Sequence, residues 1–134
     1  MNNKISDKLL LNNIYNTYYN EYKSYKKAKK DLRSKAYVPI DCNLISKQLN
    51  MDPDILFGRL YYHLNNKYMF HQDDGSEIHL FIPKLGDNLN AINFPMLSAT
   101  LANLEEDHHK TAHNYLVSTL AVLIAFAALL ANYI

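Results

Sequence analysis

The sequence is poor in the residues from which several classes of protein site are built. It contains one cysteine, Cys42, three glycines and no tryptophan. A single cysteine cannot form a disulfide within the chain, and it excludes a metal site built on several cysteines. The glycines Gly58, Gly75 and Gly86 are too scattered to form a glycine-rich phosphate-binding loop. The lone thiol fits a reducing compartment, and the first 16 residues lack the apolar run of a secretory signal peptide.

Charged residues are absent from the C-terminal stretch. No Asp, Glu, Lys or Arg follows Lys110, and residues 115–134 read YLVSTLAVLIAFAALLANYI. About 20 residues of helix cover roughly 30 Å, the thickness of the hydrocarbon core of a bilayer. We therefore predict one transmembrane helix over residues 115–134, and a buried core or oligomerisation helix is the alternative. The residues predicted to face lipid or the membrane interface are Tyr115, Leu116, Leu120, Leu123, Phe126, Leu130 and Tyr133.

The position of this span predicts a tail-anchored, single-pass protein whose remaining part is cytoplasmic. The Lys110 charge is offset by the preceding acids, so the charge bias does not fix the orientation. Ala121, Ala125 and Ala128 share one face of the helix, and small residues allow helices to approach closely. A homo-oligomer formed through the span is thus one expectation, beside contact with membrane lipid.

Basic residues are concentrated near the N-terminus. Residues 1–35 carry nine Lys or Arg and three acids, a net of +6, whereas residues 36–110 carry five against ten, a net of −5. Residues 23–35, called here the basic segment, hold Lys23, Lys26, Lys27, Lys29, Lys30, Arg33 and Lys35. The segment fits a solvated helix end, a contact with the backbone of DNA or RNA, or a contact with anionic lipid. All three interpretations stay open.

Periodicity and turn residues predict a mainly helical chain with a few strands. Asp41 and Asp52 are placed to cap helices, and Pro53 suits a first helical position. Asp-Gly within DDGS predicts a hairpin turn between two strand-like runs. The predicted elements are helices over 7–30, 42–50 and 53–67, strands over 36–41, 68–72 and 77–83, a loop over 84–94, and a helix from Pro95 that continues into the span.

The first predicted helix has an aromatic face. Leu11, Tyr15, Tyr18, Tyr22 and Tyr25 recur at steps of four and three. We expect this face to pack on the core of the domain, and a stacking platform for nucleic-acid bases is the alternative.

The order of helix, strand, helix, tight turn, helix and hairpin resembles that of a winged helix-turn-helix domain. Phe57, Tyr61 and Leu64 match the apolar steps of its third helix, residues 65–70 resemble the exit into the wing, and Leu44, Ile45 and Leu49 resemble the core of the second helix. The resemblance covers residues 7–83. The predicted fold class is α+β, mainly α: a winged-helix domain over 1–86, a linker and juxtamembrane helix over 87–114, and a transmembrane helix over 115–134.

In such domains the third helix enters the major groove of DNA. The resemblance therefore implies that the residues facing DNA are Arg59, Tyr62, His63 and Asn66, with Gly58 beside them. Arg59 would then fork onto guanine and Asn66 onto adenine. However, the predicted wing carries Asp73, Asp74 and Glu77 and no Lys or Arg, so phosphate would repel it. Nucleic acid and a protein partner both remain possible occupants of this face.

The sequence contains no recognisable arrangement of catalytic residues, and we expect no catalytic residues, cofactor or metal. Cys42 starts a helix without a paired base and is interpreted as structural. Glu105, His109 and His113 are four residues apart on one helix face, with His108 beside them. They fit a metal site, a pH-sensitive contact at the membrane or a solvated helix, and no other segment clearly supplies further ligands.

Two functions follow as hypotheses. The first is a non-catalytic, membrane-tethered winged-helix adaptor or regulator that binds nucleic acid or a protein. The second is a small membrane-perturbing effector of the toxin or abortive-infection type, whose span self-assembles and whose soluble domain controls it.

Overall fold

The computed structural model describes residues 4–28, 36–85 and 89–133. In that part the chain is mainly helical, with two small sheets and one long C-terminal helix. The elements in order are α1 (Asp7–Ala28), β1 (Tyr37–Pro39), α2 (Cys42–Gln48), α3 (Pro53–Gly58), a π-helical segment (Arg59–Leu64), α4 (Asn65–Tyr68), β2 (Phe70–His71), β3 (Glu77–Ile78), β4 (Phe81–Leu85), β5 (Leu89–Asn93) and α5 (Phe94–Asn132).

The two predicted helix caps are confirmed. The Asp41 carboxylate accepts hydrogen bonds from the backbone N–H groups of Asn43 and Leu44, at 2.8 and 3.3 Å, and so begins α2. The Asp52 carboxylate does the same at the start of α3, where Pro53 occupies the first turn. Each cap satisfies backbone donors that have no partner within the helix.

The third helix runs unbroken over residues 53–68 but is not α-helical throughout, because Arg59–Leu64 form π-type turns. Side chains four residues apart lie on nearly the same face of a helix. Leu56, Leu60 and Leu64 are accordingly the fully buried residues. The predicted apolar set was wrong in two places, since Phe57 is half-buried and Tyr61 is 38 % exposed.

The main sheet is antiparallel, with the strand order β1-β5-β4. Val38 pairs with Ile92 and Phe81 also pairs with Ile92, so β5 is the middle strand. The loop predicted over 84–94 is therefore wrong, because residues 89–93 form this strand. The asparagines that alternate along this strand suggested a loop. Ala91 and Ile92 are nevertheless buried, and the Asn90 carbonyl accepts a hydrogen bond from the Ile40 N–H, just after β1, at 2.7 Å.

The predicted hairpin turn at Asp73–Ser76 is confirmed, but its strands are short. Phe70 pairs with Ile78 and His71 with Glu77, and this two-stranded sheet is separate from the main one. Gly75 has φ +84°, a conformation that glycine adopts without steric cost. The residues 70–78 form what is called here the acidic hairpin.

The aromatic face of α1 packs on the core, as expected. Leu10, Leu11 and Ile14 are fully buried. Tyr15 and Tyr22 stack on Phe94, with ring centroids 5.1 and 4.6 Å apart. These rings are thus engaged within the protein, which argues against a platform for stacked bases. The side chain of Tyr25 lies outside the described residues.

The second helix buries a different face from the one the resemblance implied. Ile45 is fully buried, but Leu44 is 42 % exposed and Leu49 is half-buried. Cys42 and Ser46 are the other buried residues of this helix, and the Ser46 hydroxyl donates to the Asn43 carbonyl at 2.8 Å. A seven-residue helix has room for one narrow buried stripe, and the short polar residue occupies it.

The long helix predicted to run without a break into the span is confirmed as α5. The chain divides into two compact units, Met1–Leu101 and Ala102–Ile134. In the first unit α5 contributes the buried side chains of Phe94, Leu97 and Thr100. In the second unit it is long and apolar enough to span a membrane, with a mean hydropathy of 2.1 over its best window.

Candidate partner-binding face

One carboxylate organises the cations of the third helix. Arg59, His63 and Lys67 follow each other at intervals of four, and all three contact Asp7 at the start of α1. The distances to the Asp7 oxygens are 2.6 Å from Arg59 Nη2, 3.3 Å from His63 Nε2 and 3.6 Å from Lys67 Nζ. The other terminal nitrogen of Arg59 donates to the Ile5 carbonyl at 2.7 Å. Asp7 therefore offsets one positive charge of this stripe and engages Arg59 most closely, while the side chains of His63 and Lys67 stay about half exposed.

The electrostatics of Asp7 reflect these contacts. Partial burial acts to raise the pKa of Asp7, but the hydrogen bonds and charges of Arg59 and His63 outweigh it and leave the pKa below its ordinary value. The Asp7 side chain is 20 % exposed and that of Arg59 25 % exposed, so the pair is partly shielded from solvent screening.

The four residues predicted to face DNA separate into two pairs. Arg59 and His63 meet at Asp7, whereas Tyr62 and Asn66 have no contact with that carboxylate among the described residues. Tyr62 is 70 % exposed, and the Asn66 amide donates to the Tyr62 carbonyl at 3.1 Å. Arg59 would have to release both of its partners to reach a guanine. Sequence reasoning gave no indication of the Asp7 contact, since 52 residues separate the two partners.

Tyr62 and Asn66 line a groove of about 480 Å³. The groove lies between the third helix on one side and the acidic hairpin with β4 on the other. Its lining includes Tyr61, Tyr62, Asn66, Glu77, His79 and Pro83. The rings of Tyr61 and Tyr62 are perpendicular, with centroids 4.9 Å apart and an interplanar angle of 82°. Among the described residues that line the groove there is no Lys or Arg.

A buried asparagine fixes the floor of the groove. Asn65 is 6 % exposed, and its carbonyl oxygen accepts from the Phe81 N–H at 3.1 Å. Its amide nitrogen lies 3.1 Å from His79 Nδ1, while the Tyr37 hydroxyl donates to the His79 carbonyl at 2.9 Å. The side-chain amide therefore links the third helix to the first residue of β4. The sequence indicates Asn65 only as part of the helix exit.

The acidic hairpin gives one wall of the groove its charge. Glu77 lies between two histidines, with 3.4 Å to His71 Nδ1 and 3.9 Å to His79 Nε2. At the tip, hydrogen bonds from the Ser76 hydroxyl and backbone N–H lower the pKa of Asp74, which is fully exposed. Asp73 is exposed beside it. Glu77 therefore supplies the negative charge of the described groove lining, and Asp73 and Asp74 lie outside that lining at the tip of the hairpin.

The basic segment falls mostly beyond what the structure describes. Lys23 is exposed, and its ammonium lies 5.3 Å from the centre of the Tyr19 ring. The side chains of Lys26 and Lys27, and the whole of Lys29, Lys30, Arg33 and Lys35, lie outside the described residues. Contact with nucleic acid or lipid through this segment stays a prediction.

The histidine-rich part of α5 forms local pairs. His109 Nε2 lies 3.6 Å from Glu105, and Lys110 lies 2.8 Å from Glu106, each one helical turn apart. In the described part of the chain no group of three or more His, Cys, Asp or Glu is arranged to hold a metal ion.

Cys42 is buried and accepts from the Asn90 amide at 3.3 Å; burial raises the pKa of its thiol.

The predicted span residues are all exposed. The exposed fractions run from 52 % for Leu120 to 90 % for Tyr133, and the apolar window of α5 has no buried residue. Tyr115, Leu116, Leu123, Phe126 and Leu130 fall between these values. A contiguous apolar surface of this length needs a covering that the described chain does not itself supply.

Comparisons of the chain with protein-family models, with curated proteins and with solved structures find no match.

Proposed function

We propose that the chain is a non-catalytic adaptor, tethered to a membrane by α5, whose winged-helix domain binds a protein partner through the groove. The observation that favours a protein partner is that the basic residues of the third helix and its exposed aromatic residue lie in different surroundings. Arg59 is engaged by Asp7 and by the Ile5 carbonyl, and His63 and Lys67 make longer contacts with the same carboxylate. The same helix presents Tyr62 to solvent, with 70 % of the side chain exposed.

The order of elements supports a winged-helix domain. α1, β1, α2 and the third helix are followed by the β4–β5 hairpin, and β5 pairs with β1. The wing position would then belong to β4–β5, and the acidic hairpin would be an addition between the third helix and that wing.

Protein fits this face better than nucleic acid. Affinity for DNA or RNA comes mainly from cations that neutralise phosphates. Here Glu77 lines the groove, Asp74 is exposed at the nearby tip of the acidic hairpin, and Arg59 is engaged by Asp7. Exposed tyrosines are, by contrast, among the residues enriched in protein interfaces.

A site-specific photo-crosslink tests the proposal. The full chain is expressed in cells of its native source with p-benzoylphenylalanine in place of Tyr62, and membranes are irradiated with and without nuclease. We expect a nuclease-resistant protein adduct in the membrane fraction. The matched control replaces Leu44, which is 42 % exposed on α2, and should give no such adduct. An adduct that nuclease removes, or a chain recovered from the soluble fraction, would contradict the proposal.

The membrane-perturbing effector remains the second proposal, and the exposed apolar stretch of α5 is what supports it. Expression of the full chain with a membrane-potential dye separates the two functions. An adaptor leaves the potential unchanged, whereas an effector collapses it when its partner is absent.

A further inference from the structure

We infer that the groove recognises an arginine-bearing segment of the partner protein. This inference rests on the proposed function and names the chemistry of the partner. It is argued from the shape, the aromatic surface and the charge of the groove, all of which lie within the first compact unit.

The groove has the size of a binding site. Its volume of about 480 Å³ lies within the range of roughly 300–1,000 Å³ that is typical of ligand sites. It is formed where the third helix departs from α-helical geometry, since Tyr61 and Tyr62 belong to the π segment Arg59–Leu64. Single π turns are frequent at functional sites, because they place side chains that a regular helix would direct elsewhere.

The aromatic corner suits a cation. Tyr61 and Tyr62 meet at 82°, and Tyr61 also stacks on Phe57 at 5.7 Å. Perpendicular rings offer a π face and a ring edge to the same space, and a guanidinium or ammonium group is attracted to the face of a tyrosine. The groove therefore has a polarisable wall rather than a purely aliphatic one.

The charge complements the aromatic corner. Glu77 lines the same groove, and among the described residues its oxygens lie near His71 and His79, at the long distances of 3.4 and 3.9 Å. A planar guanidinium can stack on a tyrosine and fork onto a carboxylate at once, which an ammonium cannot do. Arginine is therefore preferred to lysine.

The extent of the charge points to a protein segment rather than to a free small cation. Asp73 and Asp74 continue the negative surface from Glu77 to the tip of the acidic hairpin. A chain with two or more basic residues can follow this line, and a single small molecule cannot cover it. The surface therefore suits a segment with repeated positive charge.

The experiment uses the full chain in nanodiscs of phosphatidylcholine, a zwitterionic lipid that does not attract basic peptides. A fluorescein-labelled pentapeptide, Gly-Arg-Ser-Arg-Gly, is titrated and its anisotropy recorded at physiological salt. The matched peptide carries citrulline in place of each arginine, so it keeps the shape and loses the charge. We expect saturable binding of the first peptide and binding of the second weakened by about tenfold or more.

Variants locate the contact. Tyr62→Ala and Glu77→Gln should each weaken binding by about fivefold. Tyr62→Phe keeps the ring face, and Asp54→Asn removes one exposed charge of α3 outside the groove, so both should stay within about twofold. Equal binding of the two peptides, no saturable binding, or an Asp54→Asn effect as large as that of Glu77→Gln would overturn the inference.

Two further outcomes distinguish a failure of this inference from a failure of the proposed function. Photo-crosslinking at residue 62 without binding of the arginine peptide would overturn this inference and leave the proposed function intact. If single-chain nanodiscs associate with one another and an excess of the peptide of residues 23–35 disperses them, the occupant is a second copy. That result would also overturn the inference of a separate partner.

Discussion

Asn65 is a buried polar side chain whose loss would be felt throughout the groove. Its oxygen is the acceptor for the Phe81 N–H, at the point where β4 begins. A buried backbone donor without a partner costs more free energy than the hydrogen bond itself contributes when it is made. The neighbouring Asn66 has the same chemistry at an exposed position.

We predict that Asn65→Ala lowers the free energy of unfolding by about 1–3 kcal/mol, because it leaves the Phe81 N–H unsatisfied. Asn66→Ala, the matched control, should change it by less than about 0.5 kcal/mol. Thermal unfolding of the full chain in detergent micelles, followed by the near-ultraviolet circular dichroism of the tyrosines, measures both. Equal losses in the two variants would show that the bond to β4 carries no particular weight.

At the scale of elements, Asp7 joins the start of α1 to residues 59–67 of the third helix. Three side chains spaced at intervals of four converge on this one carboxylate. Two of them come from the π segment and the third from α4, so the contact holds together elements of different geometry. The N-terminal turn of α1 is thereby positioned by charge as well as by packing.

Asp7→Asn is expected to lower the free energy of unfolding by about 1–2 kcal/mol at pH 7, through loss of charge-assisted hydrogen bonds. Because the folded-state pKa of Asp7 is lowered, its contribution is present above the unfolded pKa of about 3.9. It is lost as the pH falls through the folded value. Urea titrations at pH 7 and pH 3 measure the gap between variant and parent, and a gap that persists unchanged at pH 3 would refute this assignment.

The elements divide sharply by how far the sequence could predict them. The caps at Asp41 and Asp52 and the turn at Gly75 depend on neighbouring residues, so local rules found them. Strand β5 depends on pairing with β1, some fifty residues away, and its asparagines suggested a loop. The contact of Arg59 with Asp7 is likewise non-local, and the buried face of this helix carries Leu60 where the spacing suggested Tyr61.

At the scale of the molecule, the two compact units meet different physical demands. The first buries its apolar side chains within the fold, as with Leu60 and Ile92. The second is a helix whose apolar window is entirely exposed. Its length and hydropathy are what a bilayer core would satisfy.

Two arginines in the middle of α5 should release the chain from membranes. Leu123→Arg with Phe126→Arg costs about 5–7 kcal/mol of insertion free energy, at about 2.5–3.5 kcal/mol for each charge. The expected result is a shift of the chain from the carbonate-resistant membrane pellet to the supernatant. Asn132→Arg, near the end of the helix, is the control, since its charge can reach the interface. A doubly substituted chain that stays in the pellet would contradict the tether.

The start of α5 has a mechanical consequence. No loop separates Asn93, the last residue of β5, from Phe94, the first residue of the long helix. Traction applied through that helix would reach the middle strand of the sheet directly, where hydrogen bonds to β1 and to β4 resist together. An edge strand would be held by a single row of hydrogen bonds, whereas β5 is held by two, so a force on Phe94 is resisted from both sides of the strand.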